Sequence, residues 1–204
     1  KLKERSYEGL DMAAERVLPI IRDIRAQGDK ALFFYTKKFD NIELYRHNVK
    51  VSKEEIRAAR AKVPEKTVKA MRISAANIRR YAQMKMPKEW KKAIAKGIVA
   101  GQLVRPIDTV GCYVPSGNFP LPSTLLMTVV TAKVAGVKNV IVCTPPRENN
   151  AAIYVASEIA EADDVYKIGG AQAIAAMAYG TESVPKVKKI VGPGNIFVTA
   201  AKKI

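Results

Sequence analysis

Four turns, each after a short apolar stretch, hold the residue types best suited to ligand chemistry in this sequence. They span residues 115–120, 144–146, 169–172 and 192–195. Three of them combine glycine, which lets the backbone approach a ligand closely, with a following helix whose free N–H groups attract anions. This combination indicates a phosphate-bearing cofactor. No G-x-G-x-x-G or Walker sequence is present, however, and glycine is also ordinary punctuation between a strand and a helix.

Other chemistry-bearing residues give weaker signals. Cys112 and Cys143 lie inside apolar stretches, which predicts buried free thiols, and no base lies near Cys112 to lower its pKa. The only histidine, His47, has no cysteine or second histidine nearby and only Glu43 within a helical turn. We therefore predict a surface or partly buried histidine, and no metal ligand.

The elements that must position these turns change character along the chain. Over residues 9–39, apolar residues recur at mostly three to four residue steps, with Gly28 ending one helix and Asp29 capping the next, and the first 85 residues are predicted to be mostly helical. Ser52 and Glu55 predict a capping box, and Pro64 predicts the start of a further helix. The segment 86–95, with Trp90 as a partly buried anchor, is predicted to link this helical region to a sheet.

From residue 97 onward, short β-branched stretches alternate with helical patterns. The predicted strands are 98–106, 109–114, 139–143, 165–168 and 189–191, and the predicted helices are 123–135, 150–160, 171–179 and 195 onward. Short apolar strands joined by helices are typical of parallel βαβ units, whose ligands sit beyond the carboxyl ends of the strands. The predicted fold is α/β, with a helix-rich part at 1–107 followed by a Rossmann-like parallel βαβ domain at 108–204.

Composition limits the classes of function. With 204 residues, 48% of them hydrophobic and 26% charged, the chain is predicted to fold, and we expect neither a secretory signal within the residues given nor a membrane helix, since no apolar run is long enough. We expect a cytoplasmic protein with no membrane partner. Most of the net charge of +16 lies in residues 1–100, which makes a basic nucleic-acid-binding module an alternative. Interleaved carboxylates and the lack of a binding motif favour a solvated surface instead.

Six blocks, by their order and spacing, resemble the histidinol dehydrogenase family. They are residues 110–117, 120–124, 132–137, 169–175, 179–185 and 192–195, with further matches at 28–32 and 35–40. Ser116 departs from the glycine pair that the family commonly has at this point. If the family needs positive φ there, Ser116 would strain the turn, and Gly117 would have to supply the flexibility.

The resemblance implies an NAD-dependent, zinc-assisted homodimeric enzyme that oxidises L-histidinol to L-histidine through the aldehyde, with residues 108–204 as its NAD-binding domain. It assigns cofactor contacts to Tyr113, Gln172 and Asn195. An aromatic face can stack on a nucleotide, and neutral amides both donate and accept hydrogen bonds. Without the resemblance, Tyr113 as a core aromatic, Gln172 as a helix cap and Asn195 as an N-cap are the preferred interpretations.

The family's zinc ligands and its Glu-His acid–base pair follow the Gly-Pro-Gly-Asn turn, and this sequence ends nine residues after that turn. We therefore expect a fragment with no catalytic or metal-binding residue of its own and no turnover of histidinol. Most substrate contacts would lie in the same absent part. A sister dehydrogenase of the same fold, acting on another alcohol such as a sulfonated diol, thus stays an alternative.

Overall fold

Four helices form the first part of the chain. The computed structural model describes residues 2–117 and 119–204, with side chains from residue 9 onward, so Asn118 of the predicted turn at 115–120 lies outside the described residues. The helices are α1 (Leu2–Gln27), α2 (Asp29–Asp40), α3 (Lys53–Lys62) and α4 (Glu65–Met84). The capping box at the start of α3 is confirmed, because Glu55 N donates to Ser52 Oγ at 3.1 Å and Ser52 N donates to the Glu55 carboxylate at 2.8 Å.

The break between α1 and α2 falls at Gly28 as predicted, but the predicted role of Asp29 is wrong. Gly28 itself is the N-cap residue, with φ 55° and ψ −129°, and since it has no side chain the first amide of α2, that of Asp29, donates to the distant Glu182 carboxylate at 2.8 Å. Asp29 lies in the first turn, 3% exposed, and its carboxylate accepts hydrogen bonds from Ser183, far along the chain. The Asp29 carboxylate therefore bonds to Ser183 and not to the amides of its own helix.

The segment predicted as a link instead forms half of a hairpin. Strand β1 (Trp90–Ala95) pairs antiparallel with β2 (Ile98–Gln102) in a separate two-stranded sheet. The two-residue turn between them holds Gly97 at φ +79°, a conformation that suits glycine and closes tight hairpins. Every residue of both strands is exposed, and Trp90, expected to be partly buried, is 46% exposed. The parallel βαβ pattern therefore starts only after β2.

A four-stranded parallel sheet occupies the centre of the described structure. Its strands are β3 (Thr109–Tyr113), β4 (Asn139–Cys143), β5 (Asp164–Tyr166) and β6 (Lys189–Val191), in the order β5-β4-β3-β6. The helices between and after them are α5 (Pro122–Val134), α6 (Ala151–Ile159), α7 (Gly170–Tyr179) and α8 (Ile196–Lys203). This order corresponds to strands 3-2-1-4 of a Rossmann fold, and the connections reverse direction between β3 and β6, which leaves a crevice there.

The sheet separates two hydrophobic clusters. Along β3, Val110 and Cys112 face the cluster that α3–α6 cover, whereas Tyr113 faces the cluster that α1, α2, α7 and α8 cover. Each cluster takes residues from both sides of position 107, so the helices of the first half form the outer walls of the sheet in the second half. The division into domains at 107 and 108 stays a prediction. None of the described helices is long and apolar enough to cross a membrane.

Candidate functional site

A cavity of about 610 Å³ opens at the carboxyl end of the parallel sheet. The turns after β3, β4 and β6 line it with the start of α7, which follows β5, and α1 and α2 supply the outer wall. All four turns singled out in the sequence therefore meet at one edge, beside the crevice between β3 and β6. The lining residues with polar side chains are Arg16, Asp40, Tyr113, Ser116, Arg147, Gln172 and Asn195.

Tyr113 is the last residue of β3, and its ring is part of both the core and the cavity wall. It is only 3% exposed, and its hydroxyl accepts a hydrogen bond from Gly170 N at 3.1 Å. Burial raises the pKa of this hydroxyl. So buried a ring has little face to offer for stacking. The exposed rings at the cavity belong instead to Phe39 and Phe197, 53% and 38% exposed, which the sequence reasoning did not single out.

Gln172 is the third residue of α7 and is 2% exposed. It does not cap the helix, since α7 has no side-chain cap, and its amide makes no hydrogen bond with a described residue. Among the described residues, the buried side-chain atom without a hydrogen-bond partner is Thr144 Oγ1, which does not line the cavity. The Gln172 amide does line it, so water or a ligand there can satisfy a polar group whose burial would otherwise cost about 1–3 kcal/mol.

Asn195 acts as the N-cap of α8, which was its structural interpretation. Its Oδ1 accepts hydrogen bonds from Phe197 N at 3.1 Å and Val198 N at 3.0 Å. The same residue lines the cavity, so its amide nitrogen is the donor that remains for a ligand. The structural and ligand-binding interpretations of Asn195 are therefore compatible.

Gly192 is required for a different reason from the close approach to a ligand that the sequence suggested. Gly192 has φ +116°, and a Cβ there would lie 2.0 Å from the carbonyl oxygen of Tyr113. The close approach that excludes a side chain is thus made by the neighbouring strand of the same chain rather than by a ligand. Gly192 serves the site indirectly, by letting β6 lie against the end of β3.

Ser116 fits its turn without the strain considered above, since neither Ser116 nor Gly117 has positive φ. The Ser116 hydroxyl is buried and lies 3.1 Å from Asn150 Oδ1, to which it donates a hydrogen bond. The Asn150 amide in turn donates to the carbonyl of Pro145 at 2.8 Å. The serine therefore ties the turn after β3 to the turn after β4.

Three charged residues of the cavity, Arg16, Asp40 and Arg147, were not singled out as site residues from the sequence. Arg147 follows the predicted turn at 144–146, and its guanidinium lies 3.3 Å from the carboxylate of Asp40, the last residue of α2. Burial raises the pKa of Asp40, and Arg147 opposes that shift. Residues so far apart in sequence give no local signal of their pairing.

Comparisons with known proteins agree with this geometry. The family model described as histidinol dehydrogenase matches residues 3–204. The chain is 47% identical to the histidinol dehydrogenase of Methanothermobacter thermautotrophicus over all of this chain and 48% of that protein. It is 55% identical to that of Methanococcus maripaludis over 92% of this chain and 45% of the relative. The crystal structure of histidinol dehydrogenase from Elizabethkingia anophelis superposes with a TM-score of 0.88 at 41% identity, covering 93% of this chain and 44% of that one.

The chain belongs to the histidinol dehydrogenase family. The resemblance and the α/β fold expected from the sequence are both confirmed. The chain spans about half the length of the relatives that it matches.

Two blocks that resemble the histidinol dehydrogenase family lie away from the cavity and contact each other. Asp29 accepts hydrogen bonds from Ser183 N at 3.1 Å and Ser183 Oγ at 2.7 Å, and Glu182 accepts one from Asp29 N at 2.8 Å. Arg46 reaches both carboxylates, at 3.1 Å from Asp29 and 2.9 Å from Glu182. The charged and polar residues of blocks 28–32 and 179–185 thus have a structural role, which is to join α2 to the loop after α7.

The described residues do not form the zinc site that the histidinol dehydrogenase family implies. No group of three or more His, Cys, Asp or Glu side chains among them could hold a metal ion. His47 is exposed and stacks on Tyr45, with ring centroids 5.5 Å apart. Both cysteines are free and buried as predicted, and burial raises the pKa of Cys112 to about 11, which leaves it a thiol at neutral pH.

Proposed function

We propose that this chain is the cofactor-binding part of an NAD-dependent, zinc-assisted dehydrogenase that oxidises L-histidinol to L-histidine through the aldehyde. The observation that carries the proposal is the meeting of Tyr113, Gln172 and Asn195 at one cavity, beside the switch point of a Rossmann-ordered sheet. Such crevices are where α/β folds bind dinucleotides, and the volume of about 610 Å³ is within the usual range for ligand sites. Membership of the histidinol dehydrogenase family supports the reaction.

The residues present suit the cofactor. The amide of Gln172 lacks a partner among the described residues and can both donate to and accept from a nucleotide, and the Asn195 amide nitrogen adds a donor across the cavity. The Tyr113 hydroxyl, held by Gly170 N, positions the start of α7 against β3. Exposed rings at Phe39 and Phe197 offer faces on which a base can stack.

When bound, NAD supplies the acceptor for the hydride that leaves the alcohol carbon. The described residues of this chain orient that cofactor and shield one side of it from water. Removal of the hydroxyl proton needs a base near neutral pKa, and holding the substrate needs the zinc ligands. We assign both to the portion of the full-length protein that this chain does not include.

The test compares cofactor requirement with zinc content in the full-length protein. Gln172→Ala is expected to raise the KM for NAD by about tenfold, the loss of roughly one well-placed hydrogen bond, with zinc content unchanged. Tyr113→Ala and Asn195→Ala should act in the same direction. Gln102→Ala, which removes an exposed amide on β2, is the matched control and should leave both quantities unchanged.

Each result bears on a separate part of the proposal. Equal loss of zinc in the cavity variants would mean that they act through the fold and not through the cofactor. Absence of NADH formation from histidinol by the full-length wild type would refute the reaction, and faster turnover of a sulfonated diol would move the substrate to the sister dehydrogenase. Light scattering tests the homodimer that we propose for the full-length protein.

A further inference from the structure

The charged residues of the cavity favour an anionic ligand. They are Arg16, Asp40 and Arg147, two cations against one carboxylate. The Asp40 side chain is 8% exposed, whereas that of Arg147 is 42% exposed. The carboxylate is therefore enclosed, and the guanidinium that it holds is open to a ligand.

The backbone around Arg147 is well fixed. Pro145 and Pro146, both buried, precede it, and the Asn150 amide holds the carbonyl of Pro145. Pro145 also packs on the residue before α7, because a Cβ at Gly169 would lie 2.5 Å from Pro145 Cγ. This packing brings the Arg147 loop beside the start of α7.

The start of α7 offers hydrogen-bond donors that the start of α8 does not. Asn195 Oδ1 takes the Phe197 and Val198 amides of α8. The N-cap residue of α7 is instead Gly169, which has no side chain, and of the first amides of α7 only that of Gly170 is taken by a described residue, through the Tyr113 hydroxyl. The first intrahelical bond of α7 runs from Ala173 N to Gly169 O at 3.1 Å, so the amides of Ala171 and Gln172 precede it. The Gln172 side chain is 98% buried, lines the cavity here and makes no hydrogen bond to a described residue. The start of α7 is therefore the end of the cavity that offers polar groups to a ligand.

Arg147 and Asp40 both act on this end of the cavity. Burial is the main cause that raises the pKa of the Tyr113 hydroxyl, the bond from Gly170 lowers it, and weaker contributions come from Cys143 and Asp40, which raise it, and from Arg147, which lowers it. That hydroxyl contacts Gly170 N at the first residue of α7. Asp40 and Arg147 line the same cavity as the first three residues of α7, residues 170–172, so the ion pair and the helix start flank a common space.

We propose that Arg147 binds the phosphates of the dinucleotide at the uncapped start of α7, and that Asp40 positions its guanidinium for this contact. The proposal rests on the proposed function, since it takes NAD as the ligand of the cavity. A guanidinium donates two parallel hydrogen bonds to a phosphate, and a helix N-terminus adds backbone donors to the same group. Arg147 is then a cofactor-contacting residue, and Asp40 is a positioning residue.

The experiment measures the Kd of NADH by its fluorescence in the full-length protein, with inorganic pyrophosphate as a competitor. In the wild type, pyrophosphate displaces NADH. In Arg147→Gln, the Kd of NADH rises by about tenfold or more, and displacement by pyrophosphate weakens by a similar factor. Arg147→Lys, which keeps the charge and loses the fork, retains part of both affinities.

Two further variants separate ligand contact from folding. Arg79, on α4, is the control: its side chain is 37% exposed, similar to that of Arg147, and it pairs with Glu161. Arg79→Gln leaves NADH and pyrophosphate binding unchanged. The double variant Asp40→Asn, Arg147→Gln has no unpaired buried carboxylate, so it folds like the wild type and still binds NADH about tenfold more weakly.

The two proposals fail in different ways. Wild-type protein that does not bind NADH overturns the proposed function together with this inference. Wild-type protein that binds NADH overturns the inference alone if pyrophosphate does not compete, or if Arg147→Gln binds NADH within about twofold of the wild type.

Discussion

Helix α2 begins and ends with a buried carboxylate, and the two differ in how many donors they meet. Asp29 at its start accepts hydrogen bonds from the Ser183 amide and hydroxyl and from Arg46. Asp40 at its end lies 3.3 Å from a single guanidinium, and burial raises its pKa. The first carboxylate joins α2 to the loop after α7, and the second faces the cavity.

The difference suggests a general distinction in this molecule. A buried polar group whose hydrogen bonds are all made stabilises the fold, and one beside the cavity with few or no partners indicates a ligand contact. Removing one partner of a satisfied group leaves others unpaired, which is costly. Removing an unsatisfied group costs the fold little. The distinction holds equally for the buried Ser116 hydroxyl, which has a partner, and the Gln172 amide, which has none among the described residues.

The largest expected effect is at the start of α2. Asp29→Ala should lower the free energy of unfolding by about 3 kcal/mol, because it leaves the Ser183 amide, the Ser183 hydroxyl and Arg46 Nε without their acceptor. Asp40→Ala should cost about 1 kcal/mol or less. Urea denaturation of both variants measures the contrast, and equal losses of stability would show that the two carboxylates contribute alike to the fold.

The backbone at Gly28 should give the next largest effect. Its φ of +55° disfavours a side chain, and a Cβ there would lie 2.3 Å from the Glu182 carboxylate. Gly28→Ala should cost about 1–3 kcal/mol. Adding Glu182→Ala removes the clash but not the backbone strain, so the double variant should lose less than the sum of the single losses. Strict additivity would show that the Glu182 contact does not constrain this site.

A smaller pair of effects sharpens the distinction inside the cavity. Ser116→Ala should cost about 1 kcal/mol, since it deprives the buried Asn150 of its hydrogen-bond donor. Gln172→Met, of similar volume, should leave the free energy of unfolding unchanged or slightly higher while it weakens NADH binding. Thermal melting and NADH fluorescence of the two variants provide the measurement. Destabilisation by Gln172→Met would reveal a hidden partner for the amide.

The smallest expected effect is a pH dependence at the end of α2. Burial raises the pKa of Asp40 above its ordinary value of 3.8. The folded protein therefore binds this proton more tightly than the unfolded chain does. The contribution of Asp40 to stability is then fullest below pH 3.8 and is lost as the pH rises through the folded-state pKa.

Asp40→Asn provides the measurement of this pH dependence. The free energy of unfolding of the wild type, relative to Asp40→Asn, should fall as the pH rises through that window. Arg147→Gln should make the fall steeper, because Arg147 holds the pKa of Asp40 down. The opposite slope would mean that the guanidinium outweighs burial.

Local patterns predicted the elements whose signals are local. Strands β4 and β6 have the predicted bounds, and the capping box at Ser52 and Glu55 is the one expected, because each depends on neighbouring residues. The hairpin was missed because its signal is a two-residue turn ending in Gly97, inside a stretch that resembled a link.

Contacts between distant residues had no such signal. The donors that take the Asp29 carboxylate and the pairing of Asp40 with Arg147 arise only when the chain has folded. The positions of Tyr113, Gln172 and Asn195 at one cavity followed from their places after parallel strands, which is a rule of topology. Their contacts with a cofactor stay a prediction.

The walls of the cavity come from nearly the whole length of the chain, from Arg16 on α1 to Phe197 on α8. During synthesis on a ribosome, the first wall is made long before the last one leaves the exit tunnel. A nucleotide therefore cannot guide the early stages of folding, and it can only lock a structure that has already closed. Assembly of α1 onto the nascent sheet must therefore proceed without help from a bound nucleotide.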